Sequence, residues 1–354
     1  MNETTPEPFD YGRGRVDPGE THQFRFEVGI NYLGDPVTVP VTVLNGERDG
    51  PCVFLVAAVH GDELNGVEVV QRVANRYDPT ELRGTLVCVH VANPPALKAQ
   101  QRYVPIYDLD LNRAFPGLEG GNTASRMAKI LYDRFVEPCD LGIDLHTSTR
   151  NRTTMYHVRA DLRDPDVDRL ASAFGANVVL DGTGAEGSLR RTATYDGVPT
   201  IAVEMGRAQQ FQPVLIERAV RGIENVLSEF DCLPDHDVSR PSWVTIDDDD
   251  ARRRWLRADE GGLVEMQWGP YPLVTADDPI CSIVDHFGTV EQTVTAPFSG
   301  LIVGFRENPV ALPGHPLCHF LELDEETYDV IEAEIAAGEF DGYRVGDQDF
   351  EPVG

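Results

Sequence analysis

A histidine and a glutamate stand three residues apart in Val59-His60-Gly61-Asp62-Glu63, directly after an apolar run, and a second histidine closes another apolar run at Ile143-Asp144-Leu145-His146. Two neutral imidazoles and one carboxylate form a ligand set that Zn²⁺ accepts in catalytic sites, with a position left open for water. Glu204 ends a third apolar run, Thr200–Val203, just before Met205-Gly206. Each of these residues has an ordinary use: a histidine at a strand end can be a satisfied polar residue, and a glutamate after a strand can open a helix at the positive end of its dipole. The joint pattern argues for a site, because buried charges must be paired or metal-bound.

A second dense cluster is Asp108-Leu109-Asp110-Leu111-Asn112-Arg113-Ala114-Phe115-Pro116-Gly117. Arginine holds a carboxylate in a bidentate fork, and asparagine adds a neutral donor beside it. Asn112-Arg113 therefore reads as a clamp for a substrate carboxylate, the alternative being an arginine paired with Asp108 or Asp110. Arg102, a few residues upstream, can stabilise a developing oxyanion.

The elements that must position these residues follow from the apolar pattern. Cys52–Val59 is a near-continuous apolar run, as in a strand buried on both faces. Leu64–Tyr77 has helical spacing, Thr85–Val91 reads as a strand, and Ala124–Val136 suits a helix with Thr123 as N-cap. Leu141–Leu145, Ala176–Leu180 and Thr200–Val203 are further buried strands, and Val214–Phe230 is a long amphipathic helix. Residues 36–44 read as a strand whose prolines favour a sheet edge. The alternation predicts an α/β fold, a mixed, mostly parallel sheet sandwiched by helices. His60, His146 and Glu204 then fall at the C-terminal ends of strands, the rim where such sheets bind ligands, and Glu63 can turn back to the same point.

Four motifs in this order, His60-Gly61-Asp62-Glu63, Asp110-Leu111-Asn112-Arg113-Ala114-Phe115-Pro116-Gly117, Asp144-Leu145-His146-Thr147 and Val203-Glu204-Met205-Gly206, resemble the succinylglutamate desuccinylase/aspartoacylase family of the zinc carboxypeptidase-like superfamily, over roughly residues 35–325. The resemblance implies one Zn²⁺ per chain held by His60, Glu63 and His146, with Glu204 as general base. It implies that Arg102 polarises the scissile carbonyl and that Asn112 and Arg113 grip the carboxylate of a small N-acyl amino acid. No matching motif reads the substrate's side chain. The chemistry is coherent by itself: zinc lowers the pKa of bound water toward ~7, and a carboxylate can pass the proton to a leaving amine.

The composition limits the alternatives. The 354 residues suffice for two domains, and no apolar run approaches the ~20 residues that span a bilayer. The expected organisation is an arm over residues 1–20, a catalytic α/β domain over 21–240, a small β-barrel or sandwich flanking the site over 251–325, and an acidic tail over 326–354. The polar, acidic start carries no secretory signal, which points to the cytoplasm. The net charge is −29, and Lys98 and Lys129 are the only lysines. Such acidity repels phosphates and so excludes nucleic acid and anionic membrane as partners; it reads as adaptation to high salt. A homo-oligomer remains compatible with the chain. The six scattered cysteines have no C-x₂-C spacing and read as buried thiols.

Other readings carry less. Gly182-Thr183-Gly184-Ala185-Glu186-Gly187 matches GxGxxG, but no clear helix follows it, so it reads as a loop near the site and Arg190-Arg191 as a solvated pair, the alternative being that one of them reaches a second substrate carboxylate. The C-terminal segment is similar to biotinyl/lipoyl-type barrels, yet no lysine follows Lys129, which excludes a swinging-arm carrier. A peptide-cleaving metallocarboxypeptidase and a non-catalytic metal-dependent binding module are the remaining alternatives. Glu204 discriminates against the latter, which has no need of a base.

Overall fold

The computed structural model describes residues 6–233, 244–247, 253–267 and 273–337. β1 (Phe9–Asp10) and β2 (Arg15–Val16) pair as a short hairpin. Where the sequence suggests a loose arm, Phe9 and Val16 are buried in the core alongside Phe26 and Val41.

β3 (Glu20–Ile30) and β4 (Pro36–Asn45) form an antiparallel pair at one end of the main sheet. β4 is not the edge its prolines suggest. Its inner neighbour pairs only with Val41–Asn45, so Pro36 and Pro40 lie beyond that ladder, where a missing N–H removes no bond on the second side.

The chain then alternates: β5 (Arg48–Ala57), α1 (Asn65–Ala74), β6 (Arg83–Val89), α2 (Pro94–Ala99), α3 (Thr123–Phe135), β7 (Leu141–His146), β8 (Arg152–Ala160), α4 (Pro165–Phe174), β9 (Val178–Asp181), α5 (Leu189–Tyr195), β10 (Thr200–Arg207) and α6 (Pro213–Glu229). In space the order is β8-β10-β7-β5-β6-β4-β3. β10, β7, β5 and β6 are mutually parallel, and β8 and β4 run against them. From β5 the chain goes to β6 on one side and later to β7 on the other, so the strand order reverses at β5/β7 and opens a crevice at their C-terminal ends.

Helices cover both faces. Val70 of α1, Leu170 of α4 and Ile223 of α6 pack with Leu55, Ile143 and Val203 on one face; Met127 and Leu131 of α3 and Leu189 of α5 pack with Phe54 and Val87 on the other. Each such fully buried aliphatic side chain contributes about 1.5–3 kcal/mol over its exposed state. α3 starts one residue earlier than its pattern suggests: Asn122, not Thr123, is the N-cap, its side chain accepting from the Ser125 N–H at 3.0 Å. α5 is the helix that the pattern after Gly187 does not reveal. It has seven residues, too few to display a 3.6 period, and Ser188 caps it.

The C-terminal part is β-structure, as expected, and antiparallel apart from β11, which runs parallel to β9. β11 (Val244–Asp247) adds to β9; β12 (Arg253–Arg257), β13 (Gly262–Met266), β14 (Leu273–Val274), β15 (Pro279–Val284), β16 (Val290–Thr295), β17 (Gly300–Arg306), β18 (Val310–Ala311) and β19 (Pro316–Glu322) follow, then α7 (Glu325–Ala337). β16-β15-β13-β18 make a separate four-stranded sheet, while β17 pairs with β8 and carries β19 and β12 outward as a continuation of the main sheet. All six cysteines are free thiols, five of them buried. No helix among the described residues is long and apolar enough to cross a membrane.

Candidate metal centre and its cavity

The loop between β5 and α1 carries His60 and Glu63. Ala58 takes a positive φ of 51° to turn the chain off the strand, and Gly61 passes so close to Ala96 that an added Cβ would stand 2.0 Å from its carbonyl carbon. Asp62 fastens the loop to the end of β7: its Oδ2 accepts from the Thr149 hydroxyl at 3.0 Å and the Arg150 N–H at 2.9 Å. Buried Asn65 ties the start of α1 to β10 and α6, donating to the Met205 carbonyl and accepting from the Gln212 N–H.

Strand register supplies the rest. Asp144 lies opposite Ala202 and His146 opposite Glu204 across β7/β10; Ala202 lies opposite Arg159 across β10/β8. Residues two apart share a face of a strand, so Asp144, His146, Glu204 and Arg159 all project to the same side at the rim where His60 emerges.

At the centre, His60, Glu63 and His146 are buried and offer ligand atoms within 4.8 Å of one another. Both histidines turn Nδ1 toward one carboxylate: His60 Nδ1 is 2.7 Å from Glu63 Oε1 and His146 Nδ1 is 2.8 Å from Glu63 Oε2. Their Nε2 atoms face other carboxylates. His60 Nε2 is 3.1 Å from Asp110 Oδ1, and His146 Nε2 is 2.8 Å from Asp144 Oδ2. The Asp144 contact is off the line a hydrogen bond needs and acts as charge against charge. Carboxylates behind the outer ring nitrogen orient metal-binding histidines and raise their basicity.

The electrostatics are those of a site built for positive charge. Burial opposes charge on Glu63, but His60 and His146 outweigh it and hold the carboxyl well below the usual carboxylate range. Burial likewise opposes protonation of both histidines, yet Glu63 and Asp110 raise His60, and Asp144 and Glu63 raise His146 further. The carboxylates thus draw protons onto both rings. A divalent cation supplies the same positive charge and takes the same Nδ1 and carboxylate atoms, so the donor set fits Zn²⁺.

Around this centre lies a cavity of about 210 Å³ lined by all seven of the residues singled out in the sequence: His60, Glu63, Arg102, Asn112, Arg113, His146 and Glu204. Arg102 donates from Nη2 to Asp110 Oδ2 at 3.1 Å and stands 3.5 Å from Glu63. Asp110 therefore serves Arg102 and His60, not Arg113; it also caps the turn Leu111–Arg113 by accepting from the Asn112 N–H at 2.9 Å. Asn112 is buried, its Oδ1 accepting from the Leu189 N–H at 2.8 Å, which ties the Leu111–Arg113 turn to α5. Arg113 is exposed and donates to the Asn112 carbonyl. Glu204 Oε1 is 3.7 Å from Arg159 Nε; burial raises the Glu204 pKa, and His146 and Arg159 offset this only in part.

Eight further residues line the cavity, and four of them bear on its chemistry. Arg190 is buried rather than solvated and donates to the Gly182 carbonyl at 3.0 Å. Asp144 sits two residues before His146, a spacing that on a strand already implies a shared face. Arg159 lies on β8, a strand too polar to stand out. Thr147 donates its N–H to Glu63 Oε2 at 3.1 Å. No described residue after Glu204 lines the cavity. A larger apolar groove of about 620 Å³ lies between the β3–β4 pair and α2 and holds no cluster of metal-binding groups.

Comparison with known proteins gives a consistent picture. The model of the succinylglutamate desuccinylase/aspartoacylase catalytic domain matches residues 49–230. The chain is similar to an N-alpha-acetyl-L-2,4-diaminobutyric acid deacetylase of Halomonas elongata, 26% identical over 257 residues that cover 70% of this chain and 75% of that protein. It is similar to a succinylglutamate desuccinylase of Pseudomonas aeruginosa, 28% identical over 221 residues, 55% of this chain and 63% of that protein. Among solved structures, a succinylglutamate desuccinylase from a Silicibacter species shares the fold with a TM-score of 0.77 at 24% identity, covering 92% of this chain and 100% of that one. The product-bound ectoine utilization protein EutE (DoeB) of Ruegeria pomeroyi shares it with a TM-score of 0.76 at 21% identity, covering 91% and 100%.

Proposed function

The chain belongs to the succinylglutamate desuccinylase/aspartoacylase family, and from that premise we propose that it is a zinc-dependent amidohydrolase that releases the acyl group from a small N-acylated amino acid. The observation that carries the reading is one carboxylate, Glu63, held between the Nδ1 atoms of two buried histidines, with Glu204 on the same face of the sheet. His60, Glu63 and His146 would hold the metal, one ion per chain. When bound there, zinc supplies Lewis acidity, acidifying water and polarising a carbonyl.

The chain's own residues do the remaining work. Glu204, its proton affinity raised by burial, takes a proton from the attacking water and returns it to the departing amine. Arg102, held by Asp110 and close to Glu63, donates to the carbonyl oxygen as negative charge develops on it. Arg113 and the Asn112 amide grip the amino-acid carboxylate. A cavity of about 210 Å³ suits a small molecule better than a peptide.

The test is hydrolysis of acetyl-, succinyl- and formyl-amino acids in high salt, with a short peptide panel beside them. Activity should vanish on chelation and return with Zn²⁺. Peptide cleavage without deacylation, or full turnover in the chelated protein, would overturn the assignment.

A further inference from the structure

In a chain with 59 acidic residues against 30 basic ones, an arginine without a carboxylate partner is informative. Arg152 opens β8, six residues after His146, and sits directly opposite Arg306 of β17 in the antiparallel ladder that joins the two halves of the molecule. Like charges placed opposite one another on paired strands are destabilising. Yet neither guanidinium forms an ion pair with any described residue. Arg306 donates to the carbonyls of Asn308 and Val310 at 3.2 and 3.0 Å. Arg152 lies over the ring of Trp255, 4.9 Å from its centroid, and that ring stacks on His319 at 4.9 Å. Arg257, also without an ion pair among the described residues, donates to the Gly314 carbonyl.

The neighbourhood is positive enough to act on itself. Burial, then the charges of Arg306 and Arg102, lower the pKa of Arg152. Arg102 is one of four arginines that line the catalytic cavity, so the positive group reaches from that cavity to the ladder of β8 with β17. Two half-buried arginines thus stand opposite one another across the ladder, Arg152 against the Trp255 ring, and a planar carboxylate fits the fork geometry of such a pair.

We propose that Arg152 and Arg306, with Trp255 packed against Arg152, form an anion subsite beside the catalytic cavity that takes a carboxylate. Under the function proposed above, on which this extension rests, the occupant is a carboxylate at the outer end of an extended N-acyl substrate; a free dicarboxylate offers the same chemistry.

Trp255 makes the site readable without turnover. Glutarate, titrated into the full chain at constant ionic strength, should change tryptophan fluorescence saturably. Trp255→Phe should abolish that response, although Trp243 and Trp268 remain. Arg152→Gln and Arg306→Gln should each weaken half-saturation about tenfold or more, the loss of one charged hydrogen bond, and Arg152→Lys should retain part of it. Equal responses in the wild type and both glutamine variants, or no response in the wild type, would overturn the subsite. If Arg152→Gln does not fold, Arg306→Gln carries the test. A second arm identifies the source. A drop of about tenfold in the kcat/KM ratio of N-succinyl to N-acetyl forms of one amino acid assigns the site to the substrate; an unchanged ratio with glutarate binding lost assigns it to a free anion. Failure of the deacylase reading leaves the fluorescence arm intact, so the two can be told apart.

Discussion

Glu63 and His146, 83 positions apart, meet with Oε2 2.8 Å from Nδ1, although neither side chain touches solvent appreciably. The contact joins the loop after β5 to the end of β7 across the point where strand order reverses. It forces His146 Nε2 outward toward Asp144, as the matching contact forces His60 Nε2 toward Asp110. Each imidazole is thus held between two carboxylates, an arrangement that, beyond the charge Arg102 supplies to Glu63 and Asp110, draws a cation or protons to the rings.

Asp110→Asn should test the outer partner. Asparagine keeps an oxygen to cap the Leu111–Arg113 turn but loses the charge behind His60 and beside Arg102. Zinc affinity should fall on the order of 10–100-fold, measured by competition with a chromophoric chelator, while circular dichroism stays unchanged. Unaltered affinity would mean that Asp110 serves the turn alone.

Glu204→Gln should leave zinc content at one ion per chain and cut kcat by about 10²–10⁴, the range for loss of a positioned acid–base group. The amide preserves the shape of the side chain beside Arg159, so packing is not at issue. A kcat within a few-fold of wild type would remove Glu204 from the proton path.

Arg113→Ala should raise KM with little change in kcat. Because Arg113 is exposed, the loss should be modest for a charged hydrogen bond, about 1.5–3 kcal/mol. Steady-state kinetics on one N-acyl amino acid decide this, and an unchanged KM would move the carboxylate clamp to other donors such as Arg190.

How much of this was legible beforehand depended on range. His60 and His146 each follow an apolar run buried on both faces, so their strand-end positions could be read locally; Glu204 lies inside β10, which runs on to Arg207, but parallel pairing still sets it level with His146. Asp110 was visible as an acid near an arginine, but which arginine it serves depends on the fold of the loop from Arg102 to Arg113. Arg159 was hidden because Arg152-Thr153-Thr154-Met155-Tyr156-His157 has no apolar alternation; β8 exists through its neighbours β10 and β17, not through propensity. The seam between β8 and β17 joins residues about 150 positions apart in the chain, and no local pattern announces it.

Acid should act on that seam. His319 stacks on Trp255, and burial first, then Arg159 and Arg253, pull its pKa down to about 4. His157 on β8 is lowered well below its ordinary value, again by burial and then Arg159. Unfolding frees both to protonate near ~6.5, so the unfolded state binds more protons below that pH. Stability is therefore fully present above ~6.5 and falls as pH drops toward 4. His319→Gln should flatten the fall in denaturation midpoint between pH 7 and pH 4.5; an equally steep fall would place the acid-sensitive groups elsewhere.

Salt should act in the opposite sense on the whole surface. A net charge of −29 stores repulsion that unfolding relieves, and raising ionic strength from ~0.1 to ~1 M shortens the Debye length from ~10 to ~3 Å. Exposed ion pairs such as Arg15–Asp17 weaken under the same screening, but each contributes less than about 1 kcal/mol, so relief of repulsion wins. The thermal midpoint in KCl should rise steadily across that range, and more than in sucrose solutions matched for osmolality, which stabilise by exclusion without screening. A midpoint that stays flat or falls with KCl would show that the acidic surface carries no salt requirement and that the composition reflects something other than life in brine.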